Sequence, residues 1–252
     1  MSSSLGCQPC TPLVHGIRMP WAGGMSAHPL PGLVVAVVGA SGELGSRIAR
    51  GAAARGAHVV LVGRDERRLR GILGGAVIVV GDVADAGLGA RVVAAAVERH
   101  GHLDGLVNAA GVVAFGPLLD TGDEVLEELF LTNVLGPLFL VRRVVPALAD
   151  RRGFVVQLSA VVAETPLPGM AAYAASKAAL TAADRALARE LRRSGVDVID
   201  VRPPHTETGL AGRPLSGTAP RLARGLDPDA VAARVLDAVE RGATELASTD
   251  FA

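Results

Sequence analysis

Lysine is almost missing from this 252-residue chain: of 25 basic residues only Lys177 is not arginine. Aromatic residues make up 3% of it, with a single tyrosine, Tyr173, and asparagine occurs twice, at Asn108 and Asn133. Charge of either sign is not in excess, since 25 acidic residues balance the 25 basic ones. That balance excludes the basic surplus typical of proteins that bind nucleic acid or anionic membranes. Long hydrophobic runs are lacking too. The longest, such as residues 33–38, fall far short of a membrane span. Residues 1–31 have no basic segment followed by an apolar stretch, so they do not read as a secretory signal. The only two cysteines, Cys7 and Cys10, form a CxxC among Ser, Gly and Pro. A redox or metal pair needs a strand–helix frame or further ligands. The expectation is a cytoplasmic protein with a disordered extension over 1–31, and Met25 is a candidate start. Half the residues are hydrophobic and the mean hydropathy is +0.38, which excludes disorder for most of the chain.

What remains alternates strand-like and helix-like segments. Continuous apolar runs at 33–38, 58–62, 77–80, 103–107, 154–158 and 196–201 read as strands buried on both faces. Between them, helical patterns cover residues from 46 to about 56, 64–69, 85–100, one long run 123–149, and 171–194, with a last helix at 227–241 and a tail strand near 244–247. Repeated βα units predict an α/β fold, a single doubly wound domain over 32–252 with a parallel sheet of six to seven strands and helices on both faces. Residues 203–226, rich in Pro and Gly, read as a lid.

After the first strand come Gly39, Gly42 and Gly45, with Ser41 and Leu44 between them. Glycines between a strand and a helix let a diphosphate approach the backbone, where the helix N-terminus offers unpaired N–H groups. The second strand ends in Gly63-Arg64-Asp65. An acid at that place pairs with ribose hydroxyls, whereas an arginine accommodates a 2′-phosphate, so Arg64 points to NADP(H), with NAD as the alternative. Asp65 is placed either to bond a ribose or to cap the following helix.

Tyr173 and Lys177 stand four apart at the start of a long helix, which puts them on one face. An ammonium beside a phenol favours the phenolate, and a phenol so tuned transfers protons near neutral pH. Arginine presents a broad fork instead of a point charge, a reason for lysine in a chain that otherwise avoids it. Ser159 ends the fifth strand, facing the crevice where open α/β sheets bind ligands. Asn133 is a poor helix former inside a helix and calls for a reason.

These residues resemble the short-chain dehydrogenase/reductase family over almost all of 33–248. The glycine turn is similar to its cofactor fingerprint, Asp82-Val83 to its adenine-contacting pair, and Asn108-Ala109-Ala110-Gly111 to its Asn-Asn-Ala-Gly segment. Asn133, Ser159, Tyr173 and Lys177 follow the order of its catalytic tetrad. Pro203, Thr206 and Thr208 lie in a stretch like the one that closes over the nicotinamide. The resemblance implies a Rossmann-type fold, an NAD(P) cofactor, and oxidation of an alcohol or reduction of a carbonyl. Tyr173 would be the acid/base, with Lys177 tuning it and bonding the ribose. Ser159 would hold the substrate oxygen, and Asn133 a relay water. A homodimer or homotetramer is expected. Three departures stand out: Glu43 where a glycine is usual, Pro204 in place of another glycine, and Thr206 in place of an aliphatic residue. An NAD-linked hydroxy-compound dehydrogenase and a weakly catalytic dinucleotide-binding regulator are the alternatives. Phe115, Val161, Glu164, Met170 and His205 are expected to border a pocket with hydrophobic bulk.

Overall fold

The computed structural model describes residues 26–251. The CxxC and Met25 lie outside the described residues, as does most of the expected extension. Residues 26–31 do not fit that expectation of disorder. Leu30 is fully buried, and His28 Nε2 lies 2.9 Å from Asp197 with its ring against Phe154.

Seven parallel strands form one sheet in the order β3-β2-β1-β4-β5-β6-β7. They are β1 (Val34–Val38), β2 (His58–Gly63), β3 (Val77–Val80), β4 (Gly105–Asn108), β5 (Phe154–Leu158), β6 (Asp197–Val201) and β7 (Glu245–Leu246). The helices are α1 (Glu43–Ala54), α2 (Glu66–Arg70), α3 (Leu88–His100), α4 (Asp123–Phe130), α5 (Gly136–Ala149), α6 (Ala171–Glu190) and α7 (Pro228–Arg241). Every residue of β1, β4 and β5 is buried, as expected where helices cover both faces. One core layer joins the sheet to α1 and α7, through Ile48, Leu61, Val156 and Val235. The other joins it to α3 and α5, through Val60, Leu88, Leu106 and Val144. The tail strand is present but short, pairing with β6 at two positions.

The strand order reverses at β1, which pairs with β2 on one side and β4 on the other. The turns after β1 and β4 therefore diverge, leaving the crevice typical of such switch points.

The long helix expected over 123–149 is interrupted. α4 ends at Phe130, and Leu131–Leu135 form one π turn before α5. Pro137 has no N–H for the carbonyl four residues back, that of Asn133, and the helix widens there. The run is long and apolar enough to cross a membrane by length and composition, though half of it is buried in the fold.

Candidate functional site

A cleft of about 570 Å³ runs along the C-terminal edge of the sheet. At one end it is walled by Gly39, Ser41, Gly42, Leu44, Gly45, Gly63, Arg64, Asp82 and Val83. Gly39 has φ +76°, and a Cβ there would lie 2.7 Å from the Ala110 amide nitrogen. A Cβ on Gly45 would overlap the Gly39 carbonyl oxygen. Only glycine permits this turn to fold so tightly beneath α1, whose N-cap, Gly42, has no capping side chain. First-turn N–H groups are thus left for an anion. This cradle fits the diphosphate of a dinucleotide, so the expected cofactor and the residues agree.

Glu43 also lines the cleft, but its carboxylate is bonded to Arg47, one turn along α1, and Arg47 is held in turn by Asp229 at 3.1 Å. The unfavourable charge is thereby drawn aside. Arg64 is largely exposed, with its guanidinium 3.4 Å from Asp82. Arg68, in the first turn of α2, joins it in the cleft wall. The sequence reading missed Arg68, although its spacing of four from Arg64 carries the signal. Asp65 resolves as a cap: it accepts the Arg68 N–H at 3.0 Å and does not line the cleft.

Ala109 and Gly111 line the cleft after β4, but Asn108 does not. Asn108 is buried in the sheet, where it donates to Gln157 at 2.8 Å and accepts from the Ala110 N–H at 3.2 Å. Its expected cofactor contact is replaced by a role in shaping the turn. Pro203, Thr206 and Thr208 wall the far side as expected.

The other end of the cleft rests on α6. Tyr173, Lys177, Thr181 and Asp184 occur at spacings of four, four and three, so they share a face, and all four are buried. The Tyr173 hydroxyl has no hydrogen-bond partner among the described residues. Burial pushes its pKa up from the usual phenol value, opposite to the direction expected from its lysine neighbour. Lys177, 4% exposed, donates to the Leu158 carbonyl at 2.9 Å. Burial lowers its pKa to about 8, against the pull of Asp184 and Asp200. Asp184 is 1% exposed and neither carboxylate oxygen has a hydrogen-bond partner among the described residues. Burial, reinforced by Asp200, raises it to about 8. Thr181 and Asp184 were also missed, though polar residues continuing the Tyr173–Lys177 face were the visible signal.

Ser159 lines the cleft as expected, but its hydroxyl is engaged elsewhere. Its hydroxyl donates to the Lys177 carbonyl at 2.9 Å and lies 3.0 Å from Thr181 Oγ1, itself 3.2 Å from Asp200. The single hydroxyl proton is thus committed to the α6 backbone. Ala160, the next residue, lines the cleft and packs with the cluster that includes Tyr173, Phe115 and Met170. Asn133 is fully buried in the π turn, outside the cleft wall. It accepts from the Val112 N–H and donates to the Val112 carbonyl, both at 2.9 Å, and donates to Ser176 at 3.0 Å. Its side chain fixes the segment after Gly111, with both amide N–H groups taken by protein partners. A Cβ on Gly111 would stand 3.3 Å from both Asn133 Oδ1 and Lys177 Nζ.

Phe115, Val161, Met170 and His205 border the cleft as expected, but Glu164 does not. Glu164 bonds Arg202 and the Ser248 hydroxyl, and these bonds hold its pKa down against the opposing effect of burial. Arg202, 3% exposed, also bonds Asp200 and, at 2.6 Å, Glu245. Burial disfavours its charge, and the three carboxylates outweigh it. The lid is docked: Leu215 N–H donates to the Val113 carbonyl at 2.8 Å, and Phe115 N–H to the Ser216 carbonyl at 2.9 Å. Gly217, at φ +76°, lies so close that a Cβ would overlap the Phe115 carbonyl oxygen.

Comparison with known proteins gives a consistent outcome. Residues 33–216 match the family model described as short chain dehydrogenase. The chain is 34% identical over 227 residues to dehydrogenase/reductase SDR family member 7B of Danio rerio, covering 82% of this chain and 74% of that protein. It is 35% identical over 198 residues to dehydrogenase/reductase SDR family member 4 of Bos taurus, covering 75% and 71%. Among solved structures, a short chain dehydrogenase from Burkholderia cenocepacia in complex with NADP superposes with a TM-score of 0.77 at 28% identity, over 87% of this chain and 89% of that one.

Proposed function

The chain belongs to the short-chain dehydrogenase/reductase family, and from that membership we propose that it is an NADP(H)-dependent enzyme interconverting a carbonyl and a secondary alcohol, with Tyr173 as proton donor and acceptor. Oxidoreductase activity on CH–OH or C=O groups comes with the family. The cofactor preference and the residue roles are the proposed part.

One observation carries the reading. The chain's sole tyrosine presents an unbonded hydroxyl at one end of a cleft whose other end is the glycine cradle. The N-terminus of α1 and the Gly39–Gly45 turn would hold the diphosphate. Arg64 and Arg68 would face a 2′-phosphate, and Asp65, the acid nearest the end of β2, caps α2 and does not line the cleft, which favours NADP(H). Bound at this site, the nicotinamide supplies the hydride, two electrons with one hydrogen, to the substrate carbon. As the carbonyl oxygen gains charge, Tyr173 gives it a proton; in the reverse direction Tyr173 takes one. Lys177 would bond the ribose and stabilise the phenolate left on Tyr173. Asn133 holds Val112 and Ser176, and so keeps the floor beneath Lys177 in place. A homo-oligomer belongs to the same proposal, supported by the exposed Phe130 and Leu135 beside the π turn.

Separate titrations with NADPH and NADH test the cofactor, and tighter NADH binding overturns the preference. Tyr173→Phe is expected to abolish turnover with cofactor binding retained. Unchanged turnover in that variant shows that the proton moves elsewhere.

A further inference from the structure

The side chains packed with Tyr173 at the chemical end of the cleft are apolar, and the donor-bearing His205, Thr206, Thr208 and Arg213 belong to the lid segment. Tyr173 offers a hydroxyl with no partner among the described residues. The Ser159 proton is taken by the Lys177 carbonyl, and Lys177 gives one N–H to Leu158 while its remaining N–H groups are assigned to the ribose in the reading above. The Thr132 hydroxyl, also in the wall, bonds Glu128 at 2.7 Å. The residue that follows Ser159 into the cleft is Ala160, which has no hydroxyl. Around it stand Val112, Val113, Phe115, Val161, Leu167 and Met170, all apolar.

We propose that Ala160 determines substrate choice by leaving Tyr173 as the sole donor to the substrate oxygen, so that the site takes aryl or similarly bulky apolar ketones whose carbonyl is activated by an electron-withdrawing neighbour. This rests on the oxidoreductase reading above. A carbonyl oxygen gaining charge is normally held by more than one donor, and a single donor is worth roughly a hundredfold or more in rate. With one donor missing, the substrate must spread that charge into its own framework. The step is unchanged: the carbonyl carbon gains a hydride, the cofactor is oxidised by two electrons, and the oxygen gains the Tyr173 proton.

The test is a series of para-substituted acetophenones, from nitro to methoxy, with NADPH and wild type, Ala160→Ser and Ser159→Ala. For wild type, kcat/KM is expected to rise steeply with electron withdrawal. A160S is expected to flatten that slope and to raise kcat/KM at the methoxy end about a hundredfold. S159A is expected to keep the wild-type slope. A second readout needs no turnover. Because the chain has one tyrosine, tyrosinate absorbance reports Tyr173 alone. A serine hydroxyl at 160 donating to the phenolate moves the midpoint down by about one pH unit or more. An unaltered slope in A160S, an unaltered midpoint, or a steeper slope in S159A overturns the proposal. NADPH binding with Tyr173-dependent turnover but no gain in A160S overturns this inference alone. Absence of NADPH binding overturns the oxidoreductase reading and this inference with it.

Discussion

The lone tyrosine permits a direct measurement of the proposed proton donor. Tyr173 is 7% exposed, its hydroxyl is unbonded among the described residues, and burial raises its pKa. An unfolded tyrosine ionises near 10. In an alkaline titration of the native protein, the tyrosinate absorbance should therefore stay flat through about pH 10 and develop only above it. The same chain in denaturant should titrate at about 10. The two values are linked to stability. Above pH 10 the unfolded chain releases the phenol proton while the native protein keeps it. Each further pH unit, up to the native pKa, then costs about 1.4 kcal/mol of folding stability. Loss should begin above pH 10 and none of it should appear below. Tyr173→Phe removes both the absorbance change and this share of the alkaline destabilisation, while other groups that titrate there still contribute. A native midpoint at or below 10 would refute the reasoning, because burial would then not govern the phenol.

Other substitutions probe the same region. Lys177→Met should abolish turnover yet raise stability at pH 7 by about 2 kcal/mol or more, since a lysine lowered from 10.5 to about 8 carries its whole burial penalty below pH 8 and loses it between 8 and 10.5. Thermal unfolding at pH 7 and at pH 10 checks this, and an equal gain at both sinks it. Asp184→Asn should stabilise more at pH 9 than at pH 4: with a folded pKa raised to about 8, the carboxyl's penalty grows as pH rises from the unfolded value and is complete above 8. Gly45→Ala should cost about 1–3 kcal/mol and weaken NADPH binding, because the new Cβ overlaps the Gly39 carbonyl. Undiminished binding would show that the turn is not the diphosphate cradle. Gly217→Ala should undock the lid from Phe115, seen as faster proteolysis within 203–226 and a raised KM.

The buried strands were readable because each is a short apolar run closed by glycine or a polar residue. The Tyr173–Lys177 pair stood out against a composition that avoids both residues. The break at Leu131–Leu135 was less visible, since hydrophobic periodicity runs through it and only Pro137 marks the lost hydrogen bond. The direction of the Ser159 hydroxyl could not be read from a strand end at all. It depends on Thr181 and on the Lys177 carbonyl, which α6 brings across from residues far along the chain. Asn108 and Glu164 were misplaced for a related reason. A polar residue beside a crevice satisfies its bonds with whichever partner is nearest, and for these two the partners are Gln157 and Arg202.

Strand β6 has opposite duties at its two ends. Asp197, at its start, receives the Ser26 N–H and His28. Arg202, just past its finish, fastens Glu245 in the tail and Glu164 beside the pocket. Five residues of strand separate the two ends by about 16 Å. A purification tag or fused partner joined ahead of residue 26 would enter the molecule on the side away from the chemistry. One joined after Phe251, itself buried, would pull on a segment that Arg202 ties to Glu164. The expression vector for this protein should carry its affinity handle at the front.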